Sequence, residues 1–556
     1  MKFSNIPLAQ TITQLCLAKE IKHIVICPGS RNAPLTIAFS ENENFSVFSI
    51  VDERCAAFFA LGIAQQTKHP VAVICTSGSA VLNFYPAIAE AFYSDIPLVV
   101  ISADRPKNFI DIGDGQTIRQ ENVFANHILY SANLVIGQDH DHQLYNETQI
   151  NIALNTAIEI KGPVHINAPF EEPLYGMVED LQVRPQHVPA NHAPKKIEED
   201  LSEFVTVWNN AKRKLILVGV LHPNSIEQKW LHVLANDASV LVFTETTSNL
   251  HQESFVSSID SLIDGLSEED LKNLQPEILL TFGGMVISKK IKNFLRRYQP
   301  EHHWHIDEKK AYDTYFCLTK YFEVSPQTFF SAFLPFTEKL KSEYQSNFIE
   351  IKNCKQVKHN SFLQTIGLSD LKVFDVLLKS LPKNSMLQLS NSATIRYAQL
   401  FLISPTISVF CNRGTSGIDG STSTAIGAAY ASKTRTTFIT GDLSFFYDSN
   451  ALWNNYIPNN FRILLINNNG GGIFRILQGN KDIQNFETFF ETTHALTAKQ
   501  LCKMYSITYQ CASNEEEIHQ NIKSFYLESN RPILLEILTP RKENDTILLD
   551  YFRNLK

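Results

Sequence analysis

The sequence predicts an α/β protein of three consecutive units with mainly parallel sheets, and three observations predict it. Short apolar, β-branched runs alternate with amphipathic segments along most of the chain, as in strands that helices cover on both faces. These runs end in Gly, Pro, Ser or Asp clusters, at the end of an open α/β sheet where ligands bind. The 556 residues also exceed one ordinary core, at roughly 100–200 residues per domain.

The opening stretch, MKFSNIPLAQTITQLCLAKE, spaces its apolar residues as a helix does. It lacks the basic start, continuous apolar run and small-residue cleavage site of a signal peptide. The first unit, residues 1–180, then carries the strands HIVICPGS, FSVFSIVDE, HPVAVICTSGSA, IPLVVISADRP and GPVHINAP. A Pro-, His- and acid-rich stretch at 181–200 reads as a linker. The second unit, 200–340, has RKLILVGV, ASVLVFTET and EILLTFGG. A helix and linker follow, and the third unit, 369–556, has SMLQLSNS, TISVFCNRG, TTFITGDLS, RILLINNNGG and PILLEILT. Each unit is Rossmann-like in pattern, which is an architecture and not yet a function.

Hydrophobic content of 44% and charged content of 19% suit a globular protein, and no apolar run approaches the roughly 20 residues that span a bilayer. A net charge of −8 gives no electrostatic reason to expect nucleic acid. Any anionic ligand therefore needs a local cluster of cations. The nine scattered cysteines form no C-x-x-C pair, which predicts reduced thiols in a cytoplasm rather than disulfides or a zinc ribbon. The stretch HHWHID (His302 to Asp307) follows strand alternation and reads as structural.

The pairing that carries chemistry is GDLS (Gly441 to Ser444) with NNGG (Asn468 to Gly471). Asp442 and Asn469 lie 27 positions apart, each just past an apolar run. One strand–helix–strand crossover returns the chain beside its start at that spacing, so both side chains can converge. Taken alone, the Asn/Gly run fits a tight turn equally well. Together with Asp442 it offers hard oxygen ligands for Mg²⁺ that also holds phosphate.

This constellation resembles the Gly-Asp-x and Asn-Asn motif of the thiamine-diphosphate-dependent enzymes. The resemblance implies a thiamine-diphosphate-binding fold, with Mg²⁺ or Mn²⁺ held by Asp442, Asn469 and the carbonyl of Gly471. It also implies cofactor contacts from Leu443 and Ser444, and from Ser392 at the diphosphate or else in the substrate pocket, although Leu443 stands where a second Gly is commonest. In this family a glutamate at the cofactor's pyrimidine ring promotes formation of the reactive carbanion. Glu53, in SIVDERCAAFFALGIAQ, occupies the matching place; without the motif it would read as a first-turn acid. Ile418, in NRGTSGIDG, is the counterpart of the apolar residue that bends the cofactor.

Five stretches (CPGSRNAPLT, SADRP, GQTIRQ, NRGTSGIDG and GDLSFFYDSNAL) further resemble the family's menaquinone-pathway branch, which joins 2-oxoglutarate to isochorismate with loss of CO2. Both substrates are dianions, and arginine forks suit planar carboxylates. The resemblance assigns Ser30, Arg31, Arg105, Gln116, Arg396 and Arg413 to the substrate pocket. Lys289 is the middle unit's contribution, with an alignment open by one residue to Lys290. Ile473 and Phe474 would wall the isochorismate ring. Ser392 and Arg396, four apart, are expected on one helix face, and Gly115 stands where Asn is expected. The resemblance also implies that Glu53 meets the Asp442 site across a subunit interface, in a homodimer or homotetramer. The alternatives are another thiamine-diphosphate decarboxylase or acetolactate-synthase-like carboligase, and, more remotely, a non-catalytic phosphate binder.

Overall fold

The computed structural model describes residues 2–137, 139–191, 193, 195–476 and 483–556. Its three main sheets hold seventeen strands, all paired in parallel. The first sheet comprises β1 (His23–Ile26), β2 (Ser46–Ser49), β3 (Val71–Cys75), β4 (Leu98–Asp104), β5 (Tyr130–Asn133) and β6 (Val164–Pro169). The second comprises β7 (Lys214–Val218), β8 (Val240–Phe243), β9 (Ile278–Phe282), β10 (His302–Ile306) and β11 (Lys320–Phe322). The third comprises β12 (Met386–Leu389), β13 (Ser408–Cys411), β14 (Thr436–Gly441), β15 (Arg462–Asn467), β16 (Thr508–Ala512) and β17 (Ile533–Leu538).

The first sheet runs β2-β1-β3-β4-β6-β5 and the third β13-β12-β14-β15-β17-β16, which is the same topology twice. Each order reverses direction between its second and third strands, at β1/β3 and at β12/β14. The crevice outside the strand C-termini at such a reversal is where an open α/β sheet binds ligands. The middle sheet runs β8-β7-β9-β10-β11. Its β10 contains the HHWHID histidines, and the rings of His303 and His305 share the Thr281 hydroxyl at 2.9 and 2.8 Å. Burial lowers both imidazole pKa values, that of His303 to about 4, as expected of neutral core side chains. Among the described residues no helix is long and apolar enough to cross a membrane.

Two helices fuse the first and third units. Helix Glu53–Thr67 buries every residue from Cys55 to Gln65, and helix Ser421–Ser432 buries Ser421 to Ala429. Both are rich in Ala and Gly, so their backbones approach closely. A Cβ on Gly62 would stand 2.1 Å from the Thr424 carbonyl oxygen, and one on Gly427 would stand 2.1 Å from that of Phe59. One apolar core spans the contact, running from Phe58, Phe59 and Leu61 to Ala425, Ile426 and Phe445.

Asp448 closes one end of this contact. Fully buried, it accepts from the Ser423 backbone N–H at 2.7 Å and from the Ser423 hydroxyl at 3.0 Å. It thereby caps helix Ser421–Ser432. The Cys55 thiol at 3.6 Å and the Arg54 guanidinium at 3.8 Å reach it from the other helix. Burial outweighs these partners and pushes its carboxyl from 3.8 up to about 6.

Two predictions follow from the crossing. Gly62→Ala should lower the thermal midpoint, at a cost of about 1–3 kcal/mol or more, because the obstacle is backbone that cannot rotate away. A midpoint equal to wild type would show the helices free to separate. For Asp448, a folded-state pKa above the unfolded one gives stability that is present at low pH and lost as pH rises through about 6. Asp448→Asn lacks this term, so its stability should gain on wild type between about pH 4 and pH 7 by on the order of 2–3 kcal/mol, read as a rise in its thermal midpoint relative to wild type. A constant difference across that range would contradict the assignment.

Candidate active site

Apart from Lys289 of the middle unit, the site residues singled out in the sequence lie at the C-terminal ends of the first and third sheets. Asp442 follows β14 and is 3% exposed. Its Oδ1 accepts from the Leu443 N–H at 2.7 Å, and its Oδ2 accepts from the Gly470 N–H at 2.9 Å. The second bond links the ends of the adjacent strands β14 and β15, so the crossover expected from the spacing forms and brings Asp442 to the Asn469–Gly471 turn. That turn explains the Asn/Gly run. Asn469 has φ 62° and Gly470 has φ 153°, a region that Gly enters freely and Asn more readily than other side chains. Ser444 donates its hydroxyl to the Ile418 carbonyl at 2.8 Å, tying that residue to the same loop.

A second layer holds this loop. The Asn468 amide donates to Asp370 Oδ2 at 2.9 Å, and the Thr539 hydroxyl donates to Asp370 Oδ1 at 2.6 Å. Burial pushes the Asp370 carboxyl up to about 6, and Asp442 adds to the rise. Asn468 Oδ1 is buried without a partner. The imidazole Nε2 of His494 lies 3.2 Å from Asp442 Oδ2. The donors fit a hard cation such as Mg²⁺ or Mn²⁺: a carboxylate and an amide oxygen, with the carbonyl of Gly471 in the same turn.

Arginines ring both sheet ends. In the first unit Arg31, 6% exposed, donates to the Phe170 carbonyl at 3.0 Å and to Glu172 at 3.2 Å. Arg105 lies 3.6 Å from Asp114. Both guanidiniums lower the pKa of Asp104 at the end of β4, where burial nevertheless raises it. In the third unit Arg413 donates to Asn391 Oδ1 at 2.7 Å. The like charge of Arg413, after burial, lowers the pKa of Arg396. The Nε atoms of Arg31, Arg105 and Arg413 are all buried without a hydrogen-bond partner. An unpaired buried cationic donor is costly, so these groups fit anions supplied from outside the chain.

Gln116, with φ 53°, lies against Gly78 beyond β3, where a Cβ on Gly78 would be 3.2 Å from its carbonyl oxygen. Ser30 sits on the loop beyond β1, beside Arg31. A Cβ on Gly115 would meet nothing within 4 Å, so the absent Asn leaves open space. Ser392 and Arg396 do meet, though by another route than the expected shared helix face. Ser392 precedes helix Ala393–Ala398 with φ 65°, and its carbonyl accepts from Arg396 at 2.7 Å. Helix Lys289–Arg297 begins at Lys289, which is exposed. Lys290 is committed to Asp264 and to the face of the Phe552 ring. Phe474 lies beside the turn, where a Cβ on Gly471 would be 3.1 Å from its ring, and Ile473 precedes it on helix Ile473–Ile476.

Glu53 opens helix Glu53–Thr67, but Asp52 does the capping by accepting from the Cys55 N–H at 3.1 Å. The Glu53 carboxylate is therefore uncommitted to the helix end, and its described contact is the Asn83 amide at 3.4 Å, within its own unit.

Several residues escaped the sequence reading. Glu90, 1% exposed, accepts from the N–H groups of Gly414 and Thr415 at 2.7 Å each and from the Thr415 hydroxyl at 2.9 Å. It thus anchors the Arg413 loop from the first unit. Its signal was a lone acid inside the apolar helix YPAIAEAFYS. Lys292 is half-buried; burial lowers its pKa, Glu245 opposes the shift, and Arg413 adds to it. Asn391, Asp370 and His494 carried no local signal.

Residues 6–127 match the family described as thiamine pyrophosphate enzyme, N-terminal TPP binding domain. Residues 188–389 match the family described as middle domain of thiamine pyrophosphate. Relatives named 2-succinyl-5-enolpyruvyl-6-hydroxy-3-cyclohexene-1-carboxylate synthase occur in Christiangramia forsetii (58% identical) and Flavobacterium psychrophilum (57%), with 100% of both chains covered in each case. The relative of that name in Porphyromonas gingivalis is 38% identical over 96% of this chain and 94% of its own. Identity at this level over the whole length, on a fold with the motif in place, shows that the chain belongs to the 2-succinyl-5-enolpyruvyl-6-hydroxy-3-cyclohexene-1-carboxylate synthase family of thiamine pyrophosphate enzymes.

Proposed function

We propose that the chain decarboxylates 2-oxoglutarate and adds the resulting succinyl carbanion equivalent to isochorismate, using thiamine pyrophosphate and Mg²⁺ or Mn²⁺. The products are 2-succinyl-5-enolpyruvyl-6-hydroxy-3-cyclohexene-1-carboxylate and CO2. The observation that carries this reading is the set of three arginines, Arg31, Arg105 and Arg413, with buried and unpartnered Nε atoms at the ligand ends of two sheets. Two dianionic substrates and a diphosphate need that much positive charge, which a net charge of −8 conceals.

When bound, thiamine pyrophosphate supplies the electron sink for loss of CO2. Asp442, Asn469 and the Gly471 carbonyl hold the metal, and Ser392, Leu443 and Ser444 line the diphosphate end. Ile418, anchored through its own carbonyl, would be the apolar residue against the bound cofactor. Glu53 holds a proton at the pyrimidine ring nitrogen. Arg31, Arg105, Arg396 and Arg413, with Ser30, Gln116 and Lys289, orient the substrate carboxylates and neutralise them. That lowers the barrier by positioning and by charge that is preorganised before the substrates arrive. Ile473 and Phe474 wall the isochorismate ring and exclude water.

Glu53 makes its described contact within its own unit, which suits a homodimer or homotetramer in which one copy's Glu53 serves the other's Asp442. Nine free thiols fit a cytoplasmic location.

With thiamine pyrophosphate and Mg²⁺, the protein should consume 2-oxoglutarate and release CO2 in proportion to added isochorismate. Glu53→Gln should lower kcat by about 10²-fold or more. Turnover of pyruvate without need of isochorismate would leave the cofactor in place and contradict the substrates. Arg413→Lys, which keeps the charge and loses the fork, should cut kcat/KM by about 10–100-fold, the worth of one charged hydrogen bond. Wild-type kcat/KM in that variant would remove Arg413 from the pocket.

A further inference from the structure

We propose that His494 is a positioning residue for Asp442, donating its Nε2 proton to the carboxylate oxygen that does not turn toward the metal. The inference rests on the proposed metal–diphosphate role of Asp442 and adds a residue that neither motif nor spacing indicated.

The tautomer follows from the backbone. The Leu496 N–H donates to His494 Nδ1 at 3.1 Å, so Nδ1 is the acceptor and the proton of a neutral ring sits on Nε2. That nitrogen is buried and makes no hydrogen bond among the described residues, and the nearest carboxylate oxygen, Asp442 Oδ2, lies 3.2 Å away, a small ring or carboxylate rotation from a bond. The ring is also fixed edge-on to Phe446, with centroids 5.6 Å apart.

The segment that carries His494 is bolted to the Asn/Gly turn. The His494 N–H donates to the Asn469 carbonyl at 3.3 Å, the Gly471 N–H to the Glu491 carbonyl at 2.6 Å, and the Asn467 amide to the Leu496 carbonyl at 2.9 Å. Glu491, fully buried, accepts from Arg475 Nε at 2.6 Å and from Arg541 at 2.9 Å. His494 therefore shares a rigid frame with Asn469 and Gly471. With the Gly470 N–H on the same oxygen, it holds Oδ2 in one orientation and leaves Oδ1, whose described partner is the Leu443 N–H, turned to the cation. Hydrogen bonds to a ligating carboxylate set its orientation and its affinity for the metal.

Two variants separate the donor from the ring's other contacts. His494→Asn keeps an acceptor for the Leu496 N–H but cannot reach Asp442. His494→Gln places an N–H where Nε2 stood. Mg²⁺ is titrated without substrate, and bound thiamine pyrophosphate is read by equilibrium dialysis. His494→Asn should raise the half-saturating Mg²⁺ concentration by about tenfold or more, and His494→Gln should recover most of that loss. Wild-type behaviour in His494→Asn, or equal weakening in both variants, would overturn the inference. Should His494→Asn not fold, His494→Phe supplies a donor-free ring with the same expected weakening, and wild-type affinity there overturns the inference equally. Wild-type protein that binds no thiamine pyrophosphate would instead overturn the functional reading, and this inference with it.

Discussion

The close crossing of helices Glu53–Thr67 and Ser421–Ser432 is the constraint on which the rest depends. Gly62 and Gly427 let one helix's backbone rest on the other's, and the shared core around Phe58, Phe59 and Ile426 makes two sheets of the same topology into one body. The crossing also sets where the chemistry sits. Glu53 opens one helix, while Ile418 and the Arg413 loop lead into the other. Asp448, Arg54 and Ser423 lock the two helix starts together. Within one chain the heads of the two helices are thereby held against each other.

A second theme is buried charge held ready for ligands. Three buried acids act as clamps: Glu90 grips the Arg413 loop, Asp370 grips Asn468, and Glu491 grips Arg475 and Arg541. At the sheet ends Arg31, Arg105 and Arg413 each keep one buried donor unused, as Arg54 does at the helix crossing. Satisfying those donors internally would stabilise the empty protein, and in the proposed function those at the sheet ends are the groups that meet anionic ligands.

Much of this was legible in the sequence because it is local. Fully apolar runs such as VAVIC and RILLIN announce buried parallel strands, and the spacing of Asp442 and Asn469 announces neighbouring strand ends. The Asn-Asn-Gly run marks a turn that needs positive φ. Contacts between residues far apart in the chain leave no such trace. Glu90 meets Gly414 and Thr415, and Asp370 meets Asn468 and Thr539, only after the sheets have formed. The Ser392–Arg396 pair shows the limit from the other side. A spacing of four put the two residues together, but through a backbone carbonyl and a left-handed Ser rather than two side chains on one face. Spacing likewise could not separate Lys289 from Lys290; the partners of Lys290, Asp264 and Phe552, lie in distant segments.

The central claim is that Asp442, Asn469 and Gly471 hold a cation for thiamine pyrophosphate and that a Glu53 completes the same site. The most direct measurement is an anomalous-scattering map of crystals grown with thiamine pyrophosphate and Mn²⁺. The account predicts one Mn²⁺ peak bounded by the Asp442 carboxylate, the Asn469 side-chain oxygen and the Gly471 carbonyl, with a Glu53 carboxylate at the cofactor's pyrimidine ring. A peak elsewhere, or a cofactor seated with no Glu53 beside it, would contradict the account.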